Sequence, residues 1–387
     1  MDSKELLAYR KQIINDAVRM ERKPDRTLHF ANYWTWIILD GGYKISEALH
    51  DWDIMEKCVV EFQRKYNFDL LLNDGVRNPV SIVEPIGQSA YEIDDEKEIM
   101  NIRDISYMKE DEYDALLENF NKFLWETVMP RKYNRFNSEL TVKQFGEVVN
   151  RYNACLQYIQ RVGARLRGEY GVPDGLMTTP MVQCGFEQMF NFLRGIKGVS
   201  YDMRKNPDKL KATCELLDEM ALSPALSQLE KGTTGDSTYA FDLVFAMLGH
   251  TILNIKQWER FYWPSLKKVL DAVVAADKTL YIFAEGISGR FWEYFKDYPK
   301  GHIAIHIEQD DVFEFKKALP NCCVAGGMPA SLLGGGTKEQ CVSYAKHLID
   351  ELGAEGFILS QDKMISYRND TNPENLKAVC DFVREYR

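Results

Sequence analysis

Several things are missing from this 387-residue chain, and each absence narrows what it can be. No apolar run approaches the roughly 18–20 residues that a membrane-spanning helix needs. The start, Met1-Asp2-Ser3-Lys4-Glu5, lacks the basic-then-apolar layout of a secretory signal. Positive charge is in deficit: 48 Lys+Arg stand against 58 Asp+Glu, a formal net charge of −10. Non-specific nucleic-acid binding needs clustered positive charge and is not expected. The eight cysteines are scattered, with no CxxC pair, which reads as reduced thiols in a cytoplasmic protein. No internal repeat and no low-complexity segment is present. Composition is otherwise that of a globular protein, with 45% hydrophobic and 27% charged residues.

Helical periodicity marks Glu5–Arg22, ended by Pro24, and Ile54–Tyr66. Phe68–Leu72, before Asn73-Asp74-Gly75, reads as a buried strand and a turn. Residues 1–68 are thus expected to be a mostly helical extension. Residues 110–165 and 206–277 also read as mainly helical. The last 110 residues or so alternate: strands at 279–284, 303–307, 322–325 and 356–359, each followed by a helix. Thr337-Lys-Glu-Gln340 has capping-box spacing, and Asn372-Pro373 places a cap residue before a first-turn proline. Short, almost wholly apolar strands between helices indicate a parallel sheet covered on both faces. Weaker strand candidates lie near 27–31, 170–177 and 199–202, giving about eight. No GxGxxG follows a strand, so a closed (β/α)8 TIM barrel fits better than a doubly wound sheet. The chain 1–387 is expected to form one such domain.

In that fold the chemistry sits at the C-terminal ends of the strands. Those ends supply Asp74, Glu285, His306, Glu308, Asp362 and Lys363. His306 and Glu308, two apart on a strand, should face the same side. They make a plausible edge for Zn²⁺, with Glu285 as a third ligand; the plain alternative is that His306 only hydrogen-bonds Glu308. Glu285 has Arg290 as a candidate ion-pair partner, and Asp362-Lys363 can equally be a solvated turn. His250, after the apolar run Leu243–Leu248, either faces the cavity or caps a helix. Gly334–Gly336 before a helix can hold a phosphate, though a flexible connection is the simpler reading. The other histidines and the tryptophans read as packing or surface residues.

Several stretches resemble the uroporphyrinogen decarboxylase superfamily: Pro299-Lys-Gly-His-Ile-Ala-Ile-His306, Gly326-Gly-Met-Pro-Ala-Ser-Leu-Leu333, Gly356-Phe-Ile-Leu-Ser360 and Asn372-Pro-Glu-Asn-Leu-Lys-Ala-Val379. Phe192–Gly198 and Gln257–Lys267 resemble a branch of uncharacterised members. The resemblance implies a (β/α)8 barrel and two possible chemistries. One is cofactor-free decarboxylation of uroporphyrinogen; the other is methyl transfer involving a corrinoid, usually with zinc. The decarboxylases' arginine-rich N-terminal motif is absent, and Leu28-His-Phe-Ala-Asn-Tyr-Trp34 stands in that region, while Asp74 matches their essential aspartate. Of the methyltransferases' zinc ligands, His306 matches the histidine, Glu308 stands at the first cysteine and Lys363 at the second. The expectation is a methyltransferase acting on a small methylated substrate. Glu285, His306 and Glu308 would hold a metal or act as acid and base. Asp74, His250 and Lys363 would be catalytic, and the corrinoid would ride on a separate protein. The alternatives are a carboxy-lyase of the same fold and a non-catalytic tetrapyrrole- or corrinoid-binding barrel. The oligomeric state is not written in the sequence; a homodimer is the commonest default.

Overall fold

In the computed structural model, eight parallel strands curl into an α/β barrel. The residues described are all except 74–79, 89, 137–139, 176, 177 and 231–237. The strands are β1 (Leu28–Ala31), β2 (Leu70–Leu71), β5 (Met181–Val182), β6 (Leu243–Met247), β7 (Leu280–Ala284), β8 (Ile303–Ile307), β9 (Cys323–Met328) and β10 (Phe357–Gln361). Their order is β2-β1-β10-β9-β8-β7-β6-β5. β3 (Tyr91–Asp94) and β4 (Ile99–Ile102) form a separate antiparallel hairpin. The two ends of the sheet approach at Gly175, where a Cβ would lie 1.9 Å from the Leu71 carbonyl oxygen; only glycine lets the backbones come this close.

The C-terminal strand–helix alternation follows the sequence. Helices occupy Val312–Ala318, Lys338–Leu352 and Pro373–Glu385. Thr337 and Gln340 form the expected capping box, and Asn372 accepts the Glu374 N–H. The apolar run before His250 is β6, and residues 28–31, within the segment expected to be a helical extension, form a barrel strand. Two weak strand candidates are corrected. Residues 199–202 lie inside the helix Gly195–Lys205, because its apolar residues pack at helical spacing. Among the described residues near 170–177 only Asp174 makes a β-bridge, to Tyr239, and β5 begins at Met181.

Alternate strand residues fill the barrel: Leu28, Phe30, Tyr281, Phe283, Ala304, Cys323, Ala325 and Ile358 form one cluster. Ile13, Ile14, Ala17 and Val18 of the helix Ser3–Arg19 join it. This helix lies across the N-terminal ends of the strands. Ala17 O accepts the Gly356 N–H, and Arg19 reaches Asp277 just before β7. It closes the barrel floor, leaving the C-terminal end as the mouth. Among the described residues no helix is long and apolar enough to cross a membrane.

Candidate active site

The site is built from side chains at and just past the strand ends. Ala284 pairs with Ile307 in the β7–β8 register. The next residues, Glu285 and Glu308, therefore stand side by side on strands about 4.8 Å apart. Glu308 Oε2 accepts the Gly286 N–H at 2.9 Å. Burial nevertheless pushes its carboxyl up to about 7, with Glu285 and Asp362 adding to the shift. A carboxyl that is buried beside another carboxylate keeps its proton to near neutrality.

Asp362, after β10, accepts the Ala330 N–H at 2.9 Å, and burial raises its pKa. A fourth carboxylate, Glu187, was not singled out by the sequence. It is fully buried after β5, and Oε1 accepts from Leu248 N (2.7 Å), Gly249 N (2.8 Å) and Tyr262 Oη (2.6 Å). Asn191 Nδ2 donates to Oε2 at 3.0 Å. Burial still carries Glu187 up to about 7, and Glu285 contributes to that rise. Glu187 lies in the short helix Gly185–Gln188 that leads into one π-helical stretch, Met189–Leu193, and Tyr262 ends another, Trp258–Tyr262. π-Turns are common at functional sites, but nothing in the apolar text around Glu187 marks it.

His306 lies one layer deeper. Its Nε2 is 2.9 Å from the Gln361 carbonyl oxygen, which can only accept, so Nε2 carries the proton. Nδ1 therefore accepts the Tyr281 hydroxyl, at 2.7 Å. The ring is wholly buried, and burial lowers its pKa to about 4, so it is neutral. It reaches across β9 at Gly326, where φ is +128° and a Cβ would lie 2.7 Å from Ile307 O and 3.7 Å from His306 Cδ2. His306 does share a side of β8 with Glu308, as strand parity requires, but it bonds Tyr281 and Gln361.

The zinc expectation does not fit these side chains. Metal ligation needs a free imidazole lone pair, and the one on His306 is taken by Tyr281. Among the described residues no group of three or more His, Cys, Asp or Glu side chains is arranged to hold a metal ion.

The remaining expected residues scatter. Lys363 is held by Asp370 at 2.7 Å in the loop after β10. His250 is buried in the turn Gly249–Ile252 against Phe291, and burial lowers its pKa to about 3. Arg290, considered for Glu285, donates to the carbonyls of His250, Thr251 and Leu253. Gly334 packs on the backbone of Asn369 and Asp370. Asp74 lies outside the described residues.

Comparison with known proteins agrees with this architecture. No curated protein matches the chain. Among solved structures, a methyltransferase from Methanosarcina mazei superposes with a TM-score of 0.64 over 97% of this chain and 98% of that one. At 13% identity this likeness is one of fold. The sequence profile of the family described as Uroporphyrinogen decarboxylase (URO-D) matches residues 175–386, more than half of the chain, and takes in β5 to β10 with Glu187, Glu285, His306, Glu308 and Asp362. The chain belongs to the uroporphyrinogen decarboxylase (URO-D) family.

Proposed function

We propose that the protein is a methyltransferase in which the Glu285–Glu308 pair supplies a proton to the departing group of a small methylated substrate. The observation that carries this reading is the register that sets the two carboxyls side by side, with Glu308 holding its proton to about 7. A methyl group bound to oxygen or nitrogen leaves poorly as long as that atom must depart as an anion. As the acceptor's lone pair forms its bond to the methyl carbon, the carbon–heteroatom bond breaks. The Glu308 proton passes to the heteroatom, and Glu308 is left as a carboxylate beside Glu285. Water reprotonates it. The acceptor in this reading is a corrinoid carried by a separate protein. Tyr281 and Gln361 fix His306 beneath the pair in one neutral tautomer, which makes it a positioning residue.

A carboxy-lyase can use the same proton donor on the carbanion left by loss of CO2. The electrostatics favour methyl transfer. Glu285 raises the proton affinity of both Glu187 and Glu308, and Asp362 adds to that of Glu308, so added negative charge is unwelcome here. A substrate bearing many carboxylates, such as uroporphyrinogen, would be repelled. A neutral or cationic methyl donor would not.

The test is methylation of reduced cobalamin by methyl ethers and methylamines, followed spectroscopically. Wild-type turnover should rise as pH falls through about 7. Glu308→Gln should lose roughly 10²–10⁴-fold in kcat together with that limb. CO2 release from a carboxylated substrate without methyl transfer would overturn the assignment, as would full activity in Glu308→Gln.

A further inference from the structure

A cavity of about 280 Å³ lies at the floor, at the end of the barrel opposite the Glu285–Glu308 pair. The helix Ser3–Arg19, the segments leading into β1 and β2, and the C-terminal helix Pro373–Glu385 form its walls. Arg10, Arg26, Arg384 and Arg387 line it, against two carboxylates, Asp25 and Asp69. That surplus of positive charge runs against a chain whose formal net charge is −10.

Both carboxylates already have partners. Asp69 is bound by Arg10 and Arg26, and Asp25 accepts the Tyr9 hydroxyl at 2.7 Å. Arg10 also donates to Tyr170 O at 2.6 Å and to Asn67 Oδ1 at 2.8 Å, so its guanidinium is fully engaged. Arg384 is not. Its Nη2 makes long contacts, 3.3 Å to Tyr66 O and 3.4 Å to Asp381, and Asp381 is held by Lys377. Arg384 Nε is buried and, among the described residues, has no hydrogen-bond partner.

His29 Nε2 is in the same position. Leu28 and Phe30 face into the barrel, so His29 between them faces out, toward the cavity it lines. The residue is 4% exposed, and its ring packs on Phe68 at 4.5 Å. Burial, with Arg26 and Arg384 adding to it, lowers its pKa to about 3, so the ring is neutral. A buried polar nitrogen left unpaired costs stability. Two of them on the walls of one cavity, beside surplus positive charge, mark a place for an acceptor-rich anion.

We propose that this cavity binds a tetrahedral dianion, inorganic phosphate or the phosphate group of a small metabolite, between Arg384 and His29. Guanidinium groups suit phosphate and carboxylate alike. Here the donors stand on different walls, Arg384 on the C-terminal helix and His29 on β1. Oxygens spread over a tetrahedron meet both, whereas a flat carboxylate fits one guanidinium fork. Arg384 donates through Nε–H and the neutral imidazole through Nε2–H. The anion joins the C-terminal helix to β1, so its binding stabilises the floor.

The test is titration calorimetry and thermal melting of the full chain at fixed ionic strength and about pH 8, where phosphate is doubly charged. Inorganic phosphate and glycerol phosphate are the probes; sodium chloride and succinate are the controls. Saturating phosphate should raise the melt by roughly 3 °C over chloride. The tighter of the two probes tells free phosphate from a phosphate ester. Arg384→Gln should weaken phosphate by about tenfold or more with its chloride melt unchanged, since the side chain is partly exposed. His29→Phe should melt higher in chloride, because the unpaired nitrogen is gone, and should lose most of the phosphate response. Arg19→Gln, a floor arginine outside the cavity, should keep that response. A phosphate response no larger than that of chloride, an equal response to succinate, or a full response in both Arg384→Gln and His29→Phe would each overturn the proposal.

Discussion

The two ends of the barrel treat buried carboxylates in opposite ways. At the floor, Asp69 is held by Arg26 through both oxygens (2.7 and 2.6 Å), by Arg10 at 3.1 Å and by the His29 N–H at 3.0 Å. The two guanidinium groups outweigh burial and hold its carboxyl well below the usual range. At the mouth, burial prevails: Glu187, Glu308 and Asp362 are all driven up, and the neighbours that matter to the two glutamates include other carboxylates. An acid with two cations beside it is a permanent anion that fastens the floor helix to β1 and β2. An acid among acids is a proton reservoir. The same chemical group serves as a strut at one end and as a reagent at the other, and the neighbours decide which.

The contrast can be broken most sharply at the floor. Asp69→Asn leaves Arg10 and Arg26 buried without their anion, and should cost about 3–5 kcal/mol in denaturant unfolding. Glu308→Gln should leave stability unchanged or slightly improved, because it removes a charge that burial disfavours. Equal losses in the two variants would erase the distinction. Next in size is Gly326→Ala. A Cβ there meets Ile307 O with φ in the left-handed region, at a cost of roughly 1–3 kcal/mol. It should also perturb the His306 ring signals in an NMR spectrum.

Smaller effects sharpen the comparison through pH. Asp69 binds protons more weakly folded than unfolded, so its contribution is complete above about pH 4 and is lost as pH falls below that. Glu187 and Glu308 do the reverse. Unfolded, they release protons near pH 4.3; folded, they keep them to about 7. Their contribution to stability therefore declines as pH rises from about 4.3 to about 7 and is level above that. Glu285→Gln should flatten this decline and raise stability at pH 8 by something on the order of 1 kcal/mol or less, after solvent screening. An unchanged pH profile in that variant would show that Glu285 does not raise the proton affinity of Glu187 and Glu308.

Much of this was legible in the sequence, for reasons that differ by region. The strands β7 to β10 are short and almost wholly apolar, and their helices carry explicit caps at Thr337 and Asn372, so local rules and the final fold agree. Parity alone places His306 and Glu308 on one face, and register alone places Glu285 beside Glu308. What parity cannot give is a partner across a neighbouring strand. His306 bonds Gln361 because β9 has a glycine in between, a fact of three strands at once. Loop residues resist reading in the same way: Lys363 finds Asp370 through a turn that no periodicity announces. Glu187 is hidden because it sits in the run Phe186-Glu187-Gln188-Met189-Phe190, where one acid among apolar residues reads as the outer face of a helix. Only the third dimension turns it toward the N–H groups that follow β6.

The helix that seals the barrel has a consequence for how the molecule is made. Ser3–Arg19 leaves the ribosome well before its partners: Arg19 and Asp277 are 258 residues apart, and Gly356 comes later still. At about 5–20 residues per second, the wait for Asp277 alone is roughly 13–50 s. For most of that interval Ile13, Ile14, Ala17 and Val18 have only Leu28, Phe30, Leu70 and Leu72 of their core partners available and lack those on β6 to β10. The barrel floor is therefore completed late in synthesis, once the strands it covers have emerged.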